Sequence, residues 1–199
     1  MNAQISDLKL RINSLVPKDV CKYFINFFEE NQDFITPENS YKYPDNKIKE
    51  DNYRCLNLSV FSSKKERFKK PFEIAKKYIE IMIVNYGVHI RRTICPTWHP
   101  NLIQNTKNIR IIRYRKNEFI EDHSDVFESI RGSCTLNLNE DYEGGDFRFF
   151  GGTLKETLKT GDAIIFPAEP IWIHGTDPIT KGVRYSINCF FYILLFLYF

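Results

Sequence analysis

The sequence predicts an α+β fold, with helices in its first half supporting a β-core of about eight short strands in its second. Three observations carry that expectation. The chain has 199 residues, 43% of them hydrophobic, enough for one domain with a sizeable core and too apolar for a disordered chain. Apolar residues recur at helical spacing up to Tyr86 and at a spacing of two from Asn108 onward. Turn-forming pairs punctuate the second region and not the first. The expected organisation is therefore a single domain over 1–199. It divides into a helical support region (1–107), a β-core (108–192) and an apolar tail (193–199).

The first helix is expected at Pro17, where proline suits an opening turn and KDVCKYFINFFEE follows. Val20, Phe24, Phe27 and Phe28 give it one apolar face. A second helix is expected from Pro71, with Phe72, Ala75, Ile79, Met82, Ile83 and Tyr86 on one side. Lys69, Lys70, Lys76 and Lys77 read as a solvated face. Residues 33–66 lack clear periodicity and read as an irregular connection with a strand at CLNLSVF, 55–61. HIRRTICPTWHP, 89–100, reads as a structured surface connection holding Arg91, Arg92, Trp98 and two histidines, His89 and His99.

From Asn108 the strand-like runs are NIRIIRY, EFIEDHSD, RGSCTLNLN, GDFRFF, DAIIFP, PIWIHG and GVRYSINCFFY. Lys116-Asn117, Gly144-Gly145, Gly151-Gly152, Thr160-Gly161, Asp177-Pro178 and Lys181-Gly182 separate them. Short strands at such spacing close into a sandwich, a jelly roll or a barrel.

Charge and cysteine usage narrow the function classes. Twenty-eight basic and 25 acidic residues leave a net charge of +3, which argues against wholesale electrostatic binding to nucleic acid. Five scattered cysteines with no C-x-x-C pair argue against a disulfide framework or a zinc site and fit a reducing, cytoplasmic setting. Aromatics reach 15%, many of them in the C-terminal CFFYILLFLYF. These eleven residues fall short of the roughly 20 a membrane span needs, and MNAQISDLKLRINSL has charges where a signal peptide needs apolar residues. No membrane partner is expected.

The chemistry-bearing residues are few. His123 and Asp125 end a predicted strand, where residues two apart share a face and present an imidazole nitrogen and a carboxylate oxygen to one ion. His174 lies on another predicted strand, 49 positions after Asp125. Two histidines and one carboxylate on one side of a metal is the arrangement of non-haem Fe(II) oxygenases, which leaves positions open for other ligands. Ten residues beyond His174, Arg184 offers a fixed fork to a carboxylate, with Ser186 as a second donor.

With those residues in order, the stretch from Asn108 to Tyr192 resembles the Fe(II)- and 2-oxoglutarate-dependent oxygenases, in their prolyl 4-hydroxylase-like branch. The similarity extends to Tyr114, nine residues before His123, and to Leu138-Asn139 leading into Tyr142-Glu143-Gly144-Gly145-Asp146-Phe147. It also includes Gly161 to Pro167, before the distal histidine. The resemblance implies a double-stranded β-helix (jelly-roll) core and iron ligands His123, Asp125 and His174. Arg184 would bind the distal carboxylate of 2-oxoglutarate, with Tyr114, Asn137 and Ser186 as supporting donors and Phe147 and Phe190 as pocket walls. One departure is Asn137, which stands where several prolyl hydroxylases place a tyrosine.

The implied activity is hydroxylation of a C–H bond, first of a prolyl residue in a peptide or protein. Lysyl, other side-chain or small-molecule hydroxylation is the alternative within the superfamily. Fe(II), 2-oxoglutarate and O2 would be required, with ascorbate as an optional reductant. Nucleic-acid demethylation fits less well, because the repair-enzyme pattern carries a second arginine where this chain has Phe190. A β-barrel binding module that has lost activity is the reading from a different class.

Overall fold

The computed structural model describes residues 4–37, 53–98, 105–126 and 129–192. A short 3-10 turn (Ile5–Leu8) precedes β1 (Leu10–Ile12), α1 (Lys18–Glu29), β2 (Thr36–Pro37), β3 (Arg54–Asn57), α2 (Leu58–Ser62) and α3 (Lys69–Thr93). Nine strands follow: β4 (Asn105–Tyr114), β5 (Ile130–Asn137), β6 (Glu143–Gly144), β7 (Phe147–Phe149), β8 (Leu154–Glu156), β9 (Ala163–Pro167), β10 (His174–Thr176), β11 (Ile179–Lys181) and β12 (Arg184–Tyr192).

The strands form a seven-stranded sheet, β1-β9-β5-β12-β4-β3-β2, opposed by a three-stranded sheet, β10-β7-β8, and a β11-β6 pair. Every pairing is antiparallel. A large sheet facing smaller ones, with helices on its other side, is the α+β jelly-roll architecture expected. Apart from the strand expected at 55–61, the sequence places strands only after residue 107, whereas β1 and β2 also join the large sheet. Leu10-Arg11-Ile12 alternates in the way an edge strand needs, and it pairs with Ala163–Ile165 of β9.

The helices cover one face of the large sheet. Pro17 caps α1, whose Cys21, Phe24, Phe27 and Phe28 are buried. Phe27 packs edge-on against Phe68 and Phe28 against Tyr185. Burying each such ring contributes about 2–3 kcal/mol. Helix α3 starts two residues before Pro71 and continues to Thr93, so His89, Arg91 and Arg92 are helical rather than part of a connection. Ile90 explains the extension, because it prolongs the buried Met82–Tyr86 stripe by another turn. The strand expected at 55–61 ends at Asn57, whose side chain accepts the Val60 N–H and opens α2 instead. His99, residues 38–52 of the 33–66 connection and the tail 193–199 lie outside the described residues.

Strand β12 organises the interior because it lies between β5 and β4. Its Ile187, Cys189 and Phe191 join the core beneath the helices. Residues alternating with them, from Arg184 to Phe190, face the opposite way, into the space between the sheets. There Phe147, Phe149, Ile164, Phe166 and Trp172 form a second, largely aromatic core.

Candidate active site

His174 opens β10, but EFIEDHSD does not form the strand its pattern suggests. Only His123 makes a bridge, exchanging both main-chain hydrogen bonds with His174 at 2.9 Å. Beyond it the Thr176 N–H still donates to Ile120 O, but the Ile120 N–H goes to Thr176 Oγ1, a side chain competing with the backbone, and no regular ladder forms. Gly175 permits the close approach: a Cβ there would lie 2.7 Å from both Asp122 Oδ1 and Ile120 O.

The two histidines are held in the same manner. His123 Nδ1 lies 2.7 Å from Glu121 O, and His174 Nδ1 lies 3.0 Å from Trp172 O. A carbonyl only accepts, so each Nδ1 carries a proton, and the neutral ring presents Nε2 as a lone pair. His123 Nε2 faces Asp125 Oδ1 at 3.3 Å and His174 Nε2 faces Oδ2 at 3.2 Å. Three electron-rich atoms thus converge, a donor set that suits a divalent transition metal. Ser133 Oγ donates to Asp125 Oδ2 at 2.5 Å and orients the carboxylate. Burial alone would raise the Asp125 carboxyl, but the two imidazoles hold it well below the usual range. Burial would lower His123, and Asp125 outweighs that and raises it.

These residues open onto a cavity of about 150 Å³ whose walls include Phe147, Phe166, Phe190, Asn188 and Arg110. Phe147 stacks on the His174 ring at 5.6 Å. Phe147 and Phe190 therefore stand where the sequence reading puts pocket walls.

Arg184, Tyr114, Asn137 and Ser186 form a second, fully buried group beside this cavity rather than in its lining. Arg184 donates from Nε to Asn137 Oδ1 at 3.0 Å, and its guanidinium lies 5.3 Å from the Tyr114 ring centre. No described carboxylate pairs with it. A buried guanidinium without an acid is costly unless an anion joins it, so the site suits a carboxylate ligand. Asn137 itself is committed: its amide nitrogen reaches Asn139 O and Leu158 O, and its oxygen also accepts from Tyr142. It therefore supports Arg184 instead of offering a donor to a ligand. Ser186 donates to Asn188 Oδ1, which also accepts from Thr135 Oγ1.

Sequence reasoning missed Ser133, Asn188 and Arg110. The first two were within reach, since Ser133 alternates with Thr135 and Asn137 along β5, and Asn188 with Ser186 along β12. Arg110 depends on which face of β4 meets the cavity, which the isolated sequence does not settle.

Comparison with known proteins agrees with the geometry. The family described as the 2OG-Fe(II) oxygenase superfamily matches residues 109–192. No curated protein matches the chain by sequence. Among solved structures, the fold is similar to a Trichoplax adhaerens prolyl hydroxylase complexed with a peptide from the oxygen degradation domain of hypoxia inducible factor. Its TM-score is 0.66 at 11% identity, covering 94% of this chain and 84% of that one. A Pseudomonas putida prolyl-4-hydroxylase gives 0.65 at 14% identity, with 96% and 97% covered. The viral collagen prolyl hydroxylase of Paramecium Bursaria Chlorella virus-1 gives 0.57 at 12%, with 94% and 97% covered. The family match over residues 109–192, the prolyl hydroxylase-like fold and the His123-Asp125-His174 set together support a 2-oxoglutarate-dependent dioxygenase of the 2OG-Fe(II) oxygenase superfamily.

Proposed function

We propose that this dioxygenase hydroxylates a prolyl residue of a peptide or protein, with His123, Asp125 and His174 holding Fe(II) and Arg184 binding the distal carboxylate of 2-oxoglutarate. The observation that carries the co-substrate assignment is the buried Arg184 guanidinium, held by Asn137 and lacking a carboxylate partner among the described residues. Similarity to three prolyl hydroxylases, one of them complexed with a peptide, supports the choice of substrate class.

Bound Fe(II), with 2-oxoglutarate and O2, supplies the oxidising chemistry, converting a C–H bond to C–OH while the co-substrate becomes succinate and CO2. The chain's own residues orient and shield. The carbonyls of Glu121 and Trp172 fix both imidazole tautomers, and Ser133 fixes the Asp125 carboxylate. Arg184, too buried to be screened by solvent, sets the depth of a bound dicarboxylate. Phe147 and Phe166 pack on His174 and exclude water from the ligand side. No side chain is needed as a general base. The five cysteines form no disulfide, which fits a reducing, cytoplasmic setting.

Mass spectrometry of proline- and lysine-containing peptide libraries, incubated with Fe(II), 2-oxoglutarate and O2, tests the reading. Gain of one oxygen on proline is expected. Oxygen gained only on lysine or on free small molecules would reject the prolyl assignment, and no consumption of 2-oxoglutarate would favour a binding module that has lost activity.

A further inference from the structure

Three main-chain hydrogen bonds join the segment that delivers His123 to β10, and one side chain from β7 adds to them. Arg148, on β7, sits in register opposite Gly175 of β10, the residue after His174. Its Nε donates to Asp122 Oδ1 at 2.8 Å. Its Nη1 donates to Thr176 O at 2.8 Å and Asp177 Oδ1 at 3.0 Å. One planar fork therefore joins β7, the end of β10 and the residue preceding His123. A lysine, with its single flexible ammonium, does not reproduce that geometry.

The Asp122 carboxylate reaches the fork across Gly175, where the absent Cβ leaves room for Oδ1. Asp122 and His123 are adjacent, so moving one displaces the other, and His123 Nε2 must stay near Asp125 Oδ1 to share an ion. The two histidines thus come from neighbouring segments whose spacing Gly175 allows and Arg148 holds.

We propose that Arg148 is a positioning residue for the metal centre, acting through Asp122 to keep His123 in register with His174. This rests on the reading of those histidines and Asp125 as metal ligands. Supporting groups of this kind typically change metal affinity by about 10- to 100-fold. Lys155, which pairs with Asp177 at 2.6 Å and not with Asp122, provides a control within the same charge cluster.

The test is anaerobic Mn(II) titration of the full chain, with free Mn(II) read by electron paramagnetic resonance. R148M and D122N should each weaken binding about 10- to 100-fold. The double variant should bind within about twofold of R148M, because D122N weakens the same linkage that R148M removes, and K155M should match the wild type. Non-additivity is a signature that general destabilisation does not produce. If R148M fails to fold, D122N carries the test, since it only removes the charge of a side chain that is 35% exposed. Wild-type affinity in D122N, additive losses in the double variant, or an equal loss in K155M would overturn the proposal. A wild-type chain that binds no Mn(II) would instead overturn the metal-site reading on which it rests.

Discussion

Arg184 Nε donates to Asn137 Oδ1 at 3.0 Å, linking β12 to β5 inside the jelly roll. Asn137 in turn donates to Asn139 O and Leu158 O, so the arginine rests on a side chain fixed at both ends. Removing that support leaves a buried donor unsatisfied, at a cost of about 1–3 kcal/mol. Asn137→Ala should therefore weaken 2-oxoglutarate binding about tenfold or more while leaving Mn(II) affinity within about twofold. Calorimetric titration of the Mn(II)-loaded variant with 2-oxoglutarate checks this, and equal loss of both ligands would show that Asn137 supports the whole interior instead.

Ser133 acts on the other ligand set. Its hydrogen bond holds one Asp125 oxygen while His174 approaches the same atom. Ser133→Ala should lower Mn(II) affinity about tenfold, in line with other groups that orient metal ligands. Unchanged affinity would mean that the histidines alone fix the carboxylate.

Gly175→Ala is predicted to be worse than an ordinary buried methyl insertion. The new Cβ meets main-chain Ile120 O as well as the Asp122 carboxylate, and backbone yields less readily than a side chain. A stability loss of about 1–3 kcal/mol should accompany weaker metal binding. Denaturant unfolding and Mn(II) titration of the same sample measure both, and stability loss without metal loss would separate Gly175 from the site.

The helices and the metal ligands were legible in the sequence for different reasons. Phe24, Phe27, Phe28, Ala75, Ile79 and Met82 mark their helix faces by spacing alone, and all six are buried. His123, Asp125, His174 and Arg184 stood out because histidine is scarce here and the order of the four is informative. The segment around His123 was misread as a strand because its residues alternate as in one. What holds it is the His123–His174 bridge together with a Thr176 side chain and an Arg148 fork from distant positions. Such contacts depend on tertiary approach and leave no local periodicity. Strand β1 leaves no such pattern for a related reason, being three residues long and stabilised mainly by its neighbour β9.

Asp162 should contribute to acid sensitivity, because its carboxylate ties the N-terminal segment to the turn before β9. Its carboxylate accepts from Arg11 Nη2, Ser14 N and Lys159 N. Burial opposes ionisation, but these donors outweigh it and hold the group below its ordinary value of 3.8. A lowered carboxyl stabilises the fold above that value, and the contribution is lost as pH falls through the folded pKa. Asp162→Asn should thus lower the melting temperature most near neutral pH, with the gap from wild type closing as pH falls below 3.8. A gap independent of pH would contradict the assignment.

In the proposed function, His123, Asp125 and His174 form a working Fe(II) centre served by Arg184. Anaerobic addition of Fe(II) and 2-oxoglutarate, followed by O2 and quantification of succinate, tests it most directly. The wild type should develop a weak visible charge-transfer band and produce succinate. His174→Ala should do neither, and Arg184→Ala should need far more 2-oxoglutarate. Succinate production unchanged in His174→Ala, or absent from the wild type, would contradict it.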